Sequence, residues 1–209
     1  MVYRMFKRAF DLVSASVLFV VISPVFVVLM ILVRVKLGAP VFFKQERSGL
    51  HGKSFYIRKF RSMTNETDAA GNLLPDEKRL TEFGKFLRST SLDELPELLS
   101  IIKGDMSVIG PRPLPPAYNE YYTERERKRF DVRGGLLPPD SVEKSAIITW
   151  DKQLEYEAAY AENLSLRNDL KIFLGAIKIV FTRNETDYGT YVRKPLNEER
   201  NREDAVHKA

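Results

Sequence analysis

Cysteine is absent from the 209 residues, and histidine occurs only as His51 and His207. Without cysteine there is no disulfide, no thiol nucleophile and no thiolate metal site. Two histidines far apart in sequence leave no histidine-rich metal centre and no histidine relay, so any metal here would be a hard cation on carboxylates. A strong charge of one sign is lacking too: 33 Lys and Arg against 28 Asp and Glu give a net +5. That is modest for a nucleic-acid binder and ordinary for a protein resting on an anionic membrane. The basic residues are dispersed, so no nucleic-acid partner is expected. No internal repeat is visible. The length suits one domain with room for an appendage, and is enough to bury a real core.

What is present begins with a nearly uninterrupted apolar run from Leu12 to Val33. Its length, about 22 residues, would cross a bilayer as a helix. A cleaved signal peptide would have a shorter apolar region followed by a small-x-small site, whereas Val33-Arg34-Val35-Lys36 follows here. Two features argue against a plain crossing. Ser23-Pro24 sits mid-run, where proline removes a helical hydrogen bond and bends the helix. Both flanks are basic, with Arg4, Lys7 and Arg8 before the run and Arg34 and Lys36 after it, which favours both ends on the cytoplasmic side. A re-entrant helix broken at Ser23-Pro24 satisfies both, with Ser23 re-satisfying backbone freed by Pro24. A kinked spanning helix is the alternative.

Gly38-Ala39-Pro40 ends this element. Val41-Phe42-Phe43 and Ser54-Phe55-Tyr56-Ile57 read as strands of a small hairpin around Gly49-Leu50-His51-Gly52. Gly52-Lys53-Ser54 looks like the end of a P-loop, but position 47, where the first glycine belongs, is Arg47. Residues 65–78 form a polar loop, and Leu80, Phe83, Phe86 and Leu87 recur at helical spacing towards Arg88. Leu95, Leu98, Leu99, Ile101 and Ile102 line a further helix that Gly104 terminates. Residues 118–132 read as a charged, solvated helix and Gly134-Gly135-Leu136-Leu137-Pro138-Pro139 as a loop. Amphipathic helices are expected over 150–161 and 166–181, and a charged, mobile tail from Arg183.

The chain is organised around Thr90-Ser91-Leu92-Asp93-Glu94-Leu95-Pro96-Glu97-Leu98-Leu99, which places two adjacent carboxylates at a helix start just after Arg88. A purely structural explanation exists: Ser91-x-x-Glu94 is a capping box, and acids in a first turn suit the helix dipole. A chemical one exists as well. A carboxylate can attack phosphorus, Mg²⁺ can bridge carboxylate and phosphate oxygens, and arginines clamp phosphate. The apolar run adds a lipid substrate reached at the bilayer surface. The residues by themselves leave both explanations open.

Three stretches decide between them. Lys59-Phe60-Arg61-Ser62-Met63, Ser91-Leu92-Asp93-Glu94-Leu95-Pro96-Glu97-Leu98 and Lys103-Gly104-Asp105-Met106-Ser107-Val108-Ile109-Gly110-Pro111-Arg112-Pro113 resemble the bacterial sugar transferase family. These are monotopic phosphoglycosyl transferases that move a sugar-1-phosphate from a UDP-sugar to polyprenyl (undecaprenyl) phosphate, the first membrane step of glycoconjugate assembly. The resemblance is to the short form and runs from about residue 1 to 182. It implies an α+β, mostly helical fold: a re-entrant membrane helix over 1–37, a catalytic domain over 38–182 with interfacial amphipathic helices and a hairpin, and the tail 183–209. It also implies residence on the cytoplasmic face of the bacterial inner membrane, among membrane lipids. The implied mechanism is ping-pong. Asp93 attacks the UDP-sugar, releasing UMP, and the lipid phosphate then displaces the phosphosugar. Asp93 would also bind Mg²⁺, Glu94 would assist, and Arg88 and Arg112 would hold phosphate and nucleotide. Lys59 and Asp169 match further substrate-binding positions, with ordinary ion pairing as their alternative. One segment departs from the family pattern: Arg133-Gly134-Gly135-Leu136-Leu137-Pro138-Pro139-Asp140-Ser141 lacks the proline, threonine and glutamine usual there, so family contacts are not carried into 133–145. The rival functions are a membrane-anchored adaptor and a phosphodiesterase that hydrolyses a nucleotide-sugar. The sugar, the glycan pathway and the oligomeric state are not specified by the sequence.

Overall fold

The computed structural model of the chain describes residues 2–143, 148–182 and 193–200. Most of the expected tail from 183 therefore lies outside the described residues, as do 144–147, which include the end of the atypical segment 133–145. The chain divides into two compact units. One comprises Met1–Asp11, Glu46–Phe55 and Lys103–Ala209, and the other Leu12–Gln45 and Tyr56–Ile102. Helix α1 (Val2–Leu37) and the hairpin strands β1 (Phe42–Ser48) and β2 (Ser54–Phe60) each contribute to both. The strands are longer than their aromatic cores predict, because the alternation of half-buried and exposed residues extends through Lys44–Ser48 and Arg58–Phe60.

α1 is long and apolar enough to cross a membrane by length and composition. The break expected at Ser23-Pro24 does not interrupt it: the helix runs through Pro24. Proline at 24 has no N–H to donate to the carbonyl of Val20, four residues back. Ser23 Oγ donates to that same oxygen at 2.8 Å, so the carbonyl that proline orphans is satisfied locally. Val13, Val17, Leu18, Val20, Val21 and Val28 lie outward on this helix, well exposed.

In the second unit, Phe26, Leu29, Val33 and Leu37 of α1 pack with Phe60 of β2 and Leu87 of α3 (Glu82–Ser89). The Phe26 and Phe60 rings lie 4.9 Å apart, and Phe42 stacks on Phe60 at 5.4 Å. The buried Arg61 donates to the carbonyls of Ala39 and Leu37, closing the end of α1. A short helix α2 (Asp76–Arg79) precedes α3, and α4 (Glu97–Lys103) follows it. Gly104, at φ +99°, sits just past α4 in the left-handed region that ends helices, as its position predicts.

In the first unit, β3 (Ser107–Ile109) pairs in parallel with β4 (Gly135–Leu137), Ser107 opposite Gly135 and Ile109 opposite Leu137. The sequence suggested a loop at 134–139. The three-residue strand is too short, and too closely flanked by Gly134 and Pro138-Pro139, to announce itself by alternation. Residues 118–132 are two 3₁₀ turns, Pro116–Tyr121 and Glu126–Asp131, rather than one charged helix. The prolines at 115 and 116 start the first turn, and Arg129 turns inward and is buried. Helices α5 (Trp150–Glu162) and α6 (Leu166–Thr182) match the expected spans to within a residue, Thr149 Oγ1 capping α5. α6 buries Ile172 and Asp169 and exposes an apolar stripe of Leu166, Leu170, Phe173, Leu174 and Ile177. Of the tail, 193–200 carries a last short helix, α7 (Leu196–Glu199). Its Leu196 is fully buried, and Arg200 pairs with Glu126 and Asp151.

Candidate active site

Asp93 and Glu94 lie on a 3₁₀ turn, Leu92–Glu94, closed by Glu94 N–H to Ser91 O at 3.2 Å. The capping box does not form. Ser91 is held at φ +56°, in the left-handed region, and its side chain caps nothing. The Glu94 carboxylate instead accepts from Lys59 Nζ at 2.5 Å. Capping in this stretch is done one helix earlier, where Thr81 Oγ1 accepts from Gly84 N–H. The turn is aimed by its neighbours: Leu92 and Leu95 pack against the core of Phe26, Phe60 and Leu87, so the two acids between them face outward.

They face a cavity of about 580 Å³ whose lining includes Lys59, Arg61, Arg79, Arg88, Asp93 and Glu94. That volume lies in the range of small-molecule sites. Lys59 also lies 3.4 Å from the buried Glu97, so one ammonium on the β2 edge holds two carboxylates in place. Arg88 is oriented by its Nε donating to Ser62 Oγ at 2.9 Å. Helix α3 can come this close to Ser62 only because residue 84 is glycine: a Cβ there would sit 1.8 Å from the Ser62 carbonyl oxygen. Half-burial pushes the Asp93 carboxyl above its ordinary value and Glu94 pushes it further, while Lys59 and Arg88 oppose the rise. The result is a half-buried carboxylate beside two cations. It can act as a nucleophile towards phosphorus and can also ligate a hard cation.

The structure thus brings Asp93, Glu94, Lys59 and Arg88 to one cavity. Arg112 and Asp169 belong to the other unit. Arg112 is exposed in the turn after β3, and its backbone is gripped on both sides: its N–H donates to Glu157 at 3.1 Å and its carbonyl accepts from Arg129. Arg129 also donates to Glu157 at 2.8 Å and to Tyr122, and Gln153 donates to Glu157 at 3.0 Å. Burial raises the Glu157 carboxyl, and Arg129 works against the rise. Sequence reasoning missed this cluster because Arg129 lies in a run of charges that looks solvated. Asp169 accepts from Tyr3 and Lys7 of α1 at 2.7 and 2.8 Å and from Tyr160 of α5 at 2.7 Å. It serves here as a tie between three helices.

The family described as bacterial sugar transferase matches residues 2–183. An uncharacterised sugar transferase of Bacillus subtilis, EpsL, is 45% identical over 174 residues, 83% of this chain and 86% of that one. The UDP-glucose:undecaprenyl-phosphate glucose-1-phosphate transferase of Klebsiella pneumoniae is 36% identical over 184 residues. The undecaprenyl-phosphate galactose phosphotransferase of Salmonella typhimurium is 31% identical over 198 residues. The chain spans only 40% and 41% of the length of these last two.

Proposed function

Since the chain belongs to the bacterial sugar transferase family, we propose that it transfers a sugar-1-phosphate from a UDP-sugar to polyprenyl phosphate, with Asp93 as nucleophile. An Asp93 oxygen bonds to the sugar-bearing phosphorus while the bond from that phosphorus to the bridging oxygen breaks and UMP leaves. An oxygen of the lipid phosphate then attacks the same phosphorus, frees Asp93 and yields a polyprenyl diphosphate-linked sugar. The observation that carries this reading is the Asp93–Glu94 turn itself, where the Ser91 side chain caps nothing and the acids line a cavity with Lys59 and Arg88. Lys59 fixes Glu94 beside the nucleophile, and Arg88 is placed for the phosphates. Arg112, its turn clamped by Glu157 and Arg129, is assigned to the nucleotide.

Among the described residues no three acidic or histidine side chains gather into a metal cage. The donor set fits Mg²⁺ held by Asp93 and by substrate phosphate oxygens, the usual manner for this ion. When bound it supplies neutralisation of phosphate charge. The exposed apolar residues of α1 and the exposed apolar stripe of α6 support a membrane-associated enzyme.

Incubation with UDP-sugars, Mg²⁺ and polyprenyl phosphate, reading UMP and the lipid product, tests the reaction. UMP together with lipid-linked sugar is expected. Release of free sugar-1-phosphate whether or not the lipid is present would identify a phosphodiesterase. Absence of UMP with every UDP-sugar would leave an adaptor.

A further inference from the structure

Residues 193–200 lie far from Arg112 in sequence, in a charged stretch whose only large apolar side chain is Leu196. Both belong to one compact unit, and a chain of hydrogen bonds joins them. Arg193 Nη2 donates to Gln153 Oε1 at 2.8 Å, and Gln153 Nε2 donates to Glu157 Oε1 at 3.0 Å. The same Glu157 oxygen accepts the Arg112 N–H at 3.1 Å. Chemistry enforces the order. A guanidinium only donates and a carboxylate only accepts, so the amide between them can point one way. Gln153 and Glu157 are 3% and 0% exposed, so neither can exchange a lost partner for water. Arg193 is itself fixed. Its Nη1 donates to the Ile148 carbonyl at 2.9 Å and its guanidinium stacks 3.5 Å over the Trp150 ring, while Trp150 Nε1 donates to the Lys194 carbonyl at 2.9 Å.

Two further routes lead to the same turn. The fully buried Leu196 packs in one cluster with Trp150, Leu154, Tyr122 and Leu114, and Leu114 follows Arg112 by two residues. Arg200 donates to Glu126 at 2.7 and 2.8 Å. Glu126 opens the 3₁₀ turn whose Arg129 donates to the Arg112 carbonyl. The segment thus reaches the N–H of Arg112, its carbonyl and its apolar neighbour, while the Arg112 side chain stays exposed. A backbone held in place under an exposed guanidinium is oriented before a ligand arrives, which lowers the ordering cost of binding. We propose that residues 193–200 are a strap that positions Arg112 for the nucleotide-sugar, with Arg193 as its positioning residue, acting through Gln153 and Glu157. The inference rests on the assignment of Arg112 to the nucleotide.

Hydrogen exchange and kinetics on the full chain test it together. From Pro111 to Pro116 only Arg112 and Leu114 carry an N–H, so a peptide across this stretch reports the clamped amide with a single companion. Arg193→Met leaves Gln153 Oε1 without its donor. It should speed exchange in that peptide and raise the KM for the UDP-sugar about tenfold, with kcat changed far less. Gln153→Leu breaks the same chain one link further on and should give the same pair of effects, whereas Arg193→Lys, which keeps a donor, should restore much of both. In an Arg112→Met background, Arg193→Met should leave KM where Arg112→Met put it. Unchanged exchange in both Arg193→Met and Gln153→Leu, or an undiminished KM effect in the Arg112→Met background, overturns the proposal. A fall in kcat and Tm with KM unchanged also overturns it, marking a support of the fold alone. If Arg112→Met itself leaves KM unchanged, the assignment of Arg112 fails and the strap's part in binding falls with it. Absence of UMP from the unaltered chain refutes the transferase reading instead, and the exchange arm, which needs no turnover, still decides whether the strap holds the turn.

Discussion

Two clusters of acids and bases in this molecule look alike in sequence and differ in what surrounds them. Around Glu157 the carboxylate is fully buried, and Arg129, Gln153 and the Arg112 N–H occupy both its oxygens. Around Asp93 the carboxylate is half-buried at the wall of a cavity, and charged neighbours act on it from both signs. The first arrangement spends its charges on fixing a backbone turn. The second sets one carboxylate at the wall of a cavity and raises its proton affinity. Satisfaction of hydrogen bonds, rather than the presence of charge, separates a scaffold from a reactive centre.

The comparison can be broken most decisively at its centre. Asp93→Asn should lower UMP release by at least about 10³-fold, as removal of a covalent nucleophile does, while the melting temperature holds or rises. It holds or rises because the folded state raises this carboxyl. A raised group favours folding most below its unfolded value, and its contribution falls as pH climbs through the raised one, so replacing the charge at neutral pH removes a cost. Glu157→Ala should do the opposite kind of damage. It leaves Arg129 buried without its partner and should cost about 3–5 kcal/mol of stability, read by chemical denaturation. If Glu157→Ala instead left stability unchanged and removed activity alone, the division between the clusters would fail.

A smaller effect is expected where the scaffold meets the site. Gly84→Ala forces α3 away from the Ser62 carbonyl and carries Arg88 with it. The KM for the UDP-sugar should rise more than kcat falls, and an unchanged KM would remove Arg88 from substrate binding. The finest test is pH. The acid limb of kcat/KM should lie above the range of an ordinary aspartate, about 3.9. Lys59→Met removes a cation that lowers the Asp93 carboxyl and should move the limb to higher pH. Glu94→Gln removes a charge that raises it and should move the limb to lower pH. Shifts in the same direction for both variants would contradict the electrostatic account.

Much of the candidate site was legible before the fold, because Asp93, Glu94 and Lys59 sit in stretches that resemble the family, Arg88 comes just before one of them, and all four fold into one unit. The capping box was legible too, and misleading. Its spacing is correct, but Lys59 sits across from Glu94 and outcompetes the backbone for the carboxylate. The Glu157 cluster could not be read, since its partners lie 28 and 45 residues away in segments with no periodic signal. β4 was hidden for a related reason: Gly134 and Gly135 read as turn residues, yet Gly135 admits the close approach of Gly110, whose backbone a Cβ on Gly135 would meet at 2.1 Å. Local pattern reports local structure, and both features are made by contacts between distant segments. The long helix was read correctly in extent and composition. The continuity through Pro24 follows from a hydrogen bond, Ser23 to Val20, that the sequence made available and the structure uses.

The most direct test is to mix the enzyme with a UDP-sugar labelled in the sugar, omit the lipid acceptor, quench in acid and map the label by peptide mass. The account predicts a sugar-phosphate adduct on Asp93, formed with one UMP per chain and discharged when polyprenyl phosphate is added. Turnover to lipid-linked sugar with Asp93 unmodified throughout would contradict it.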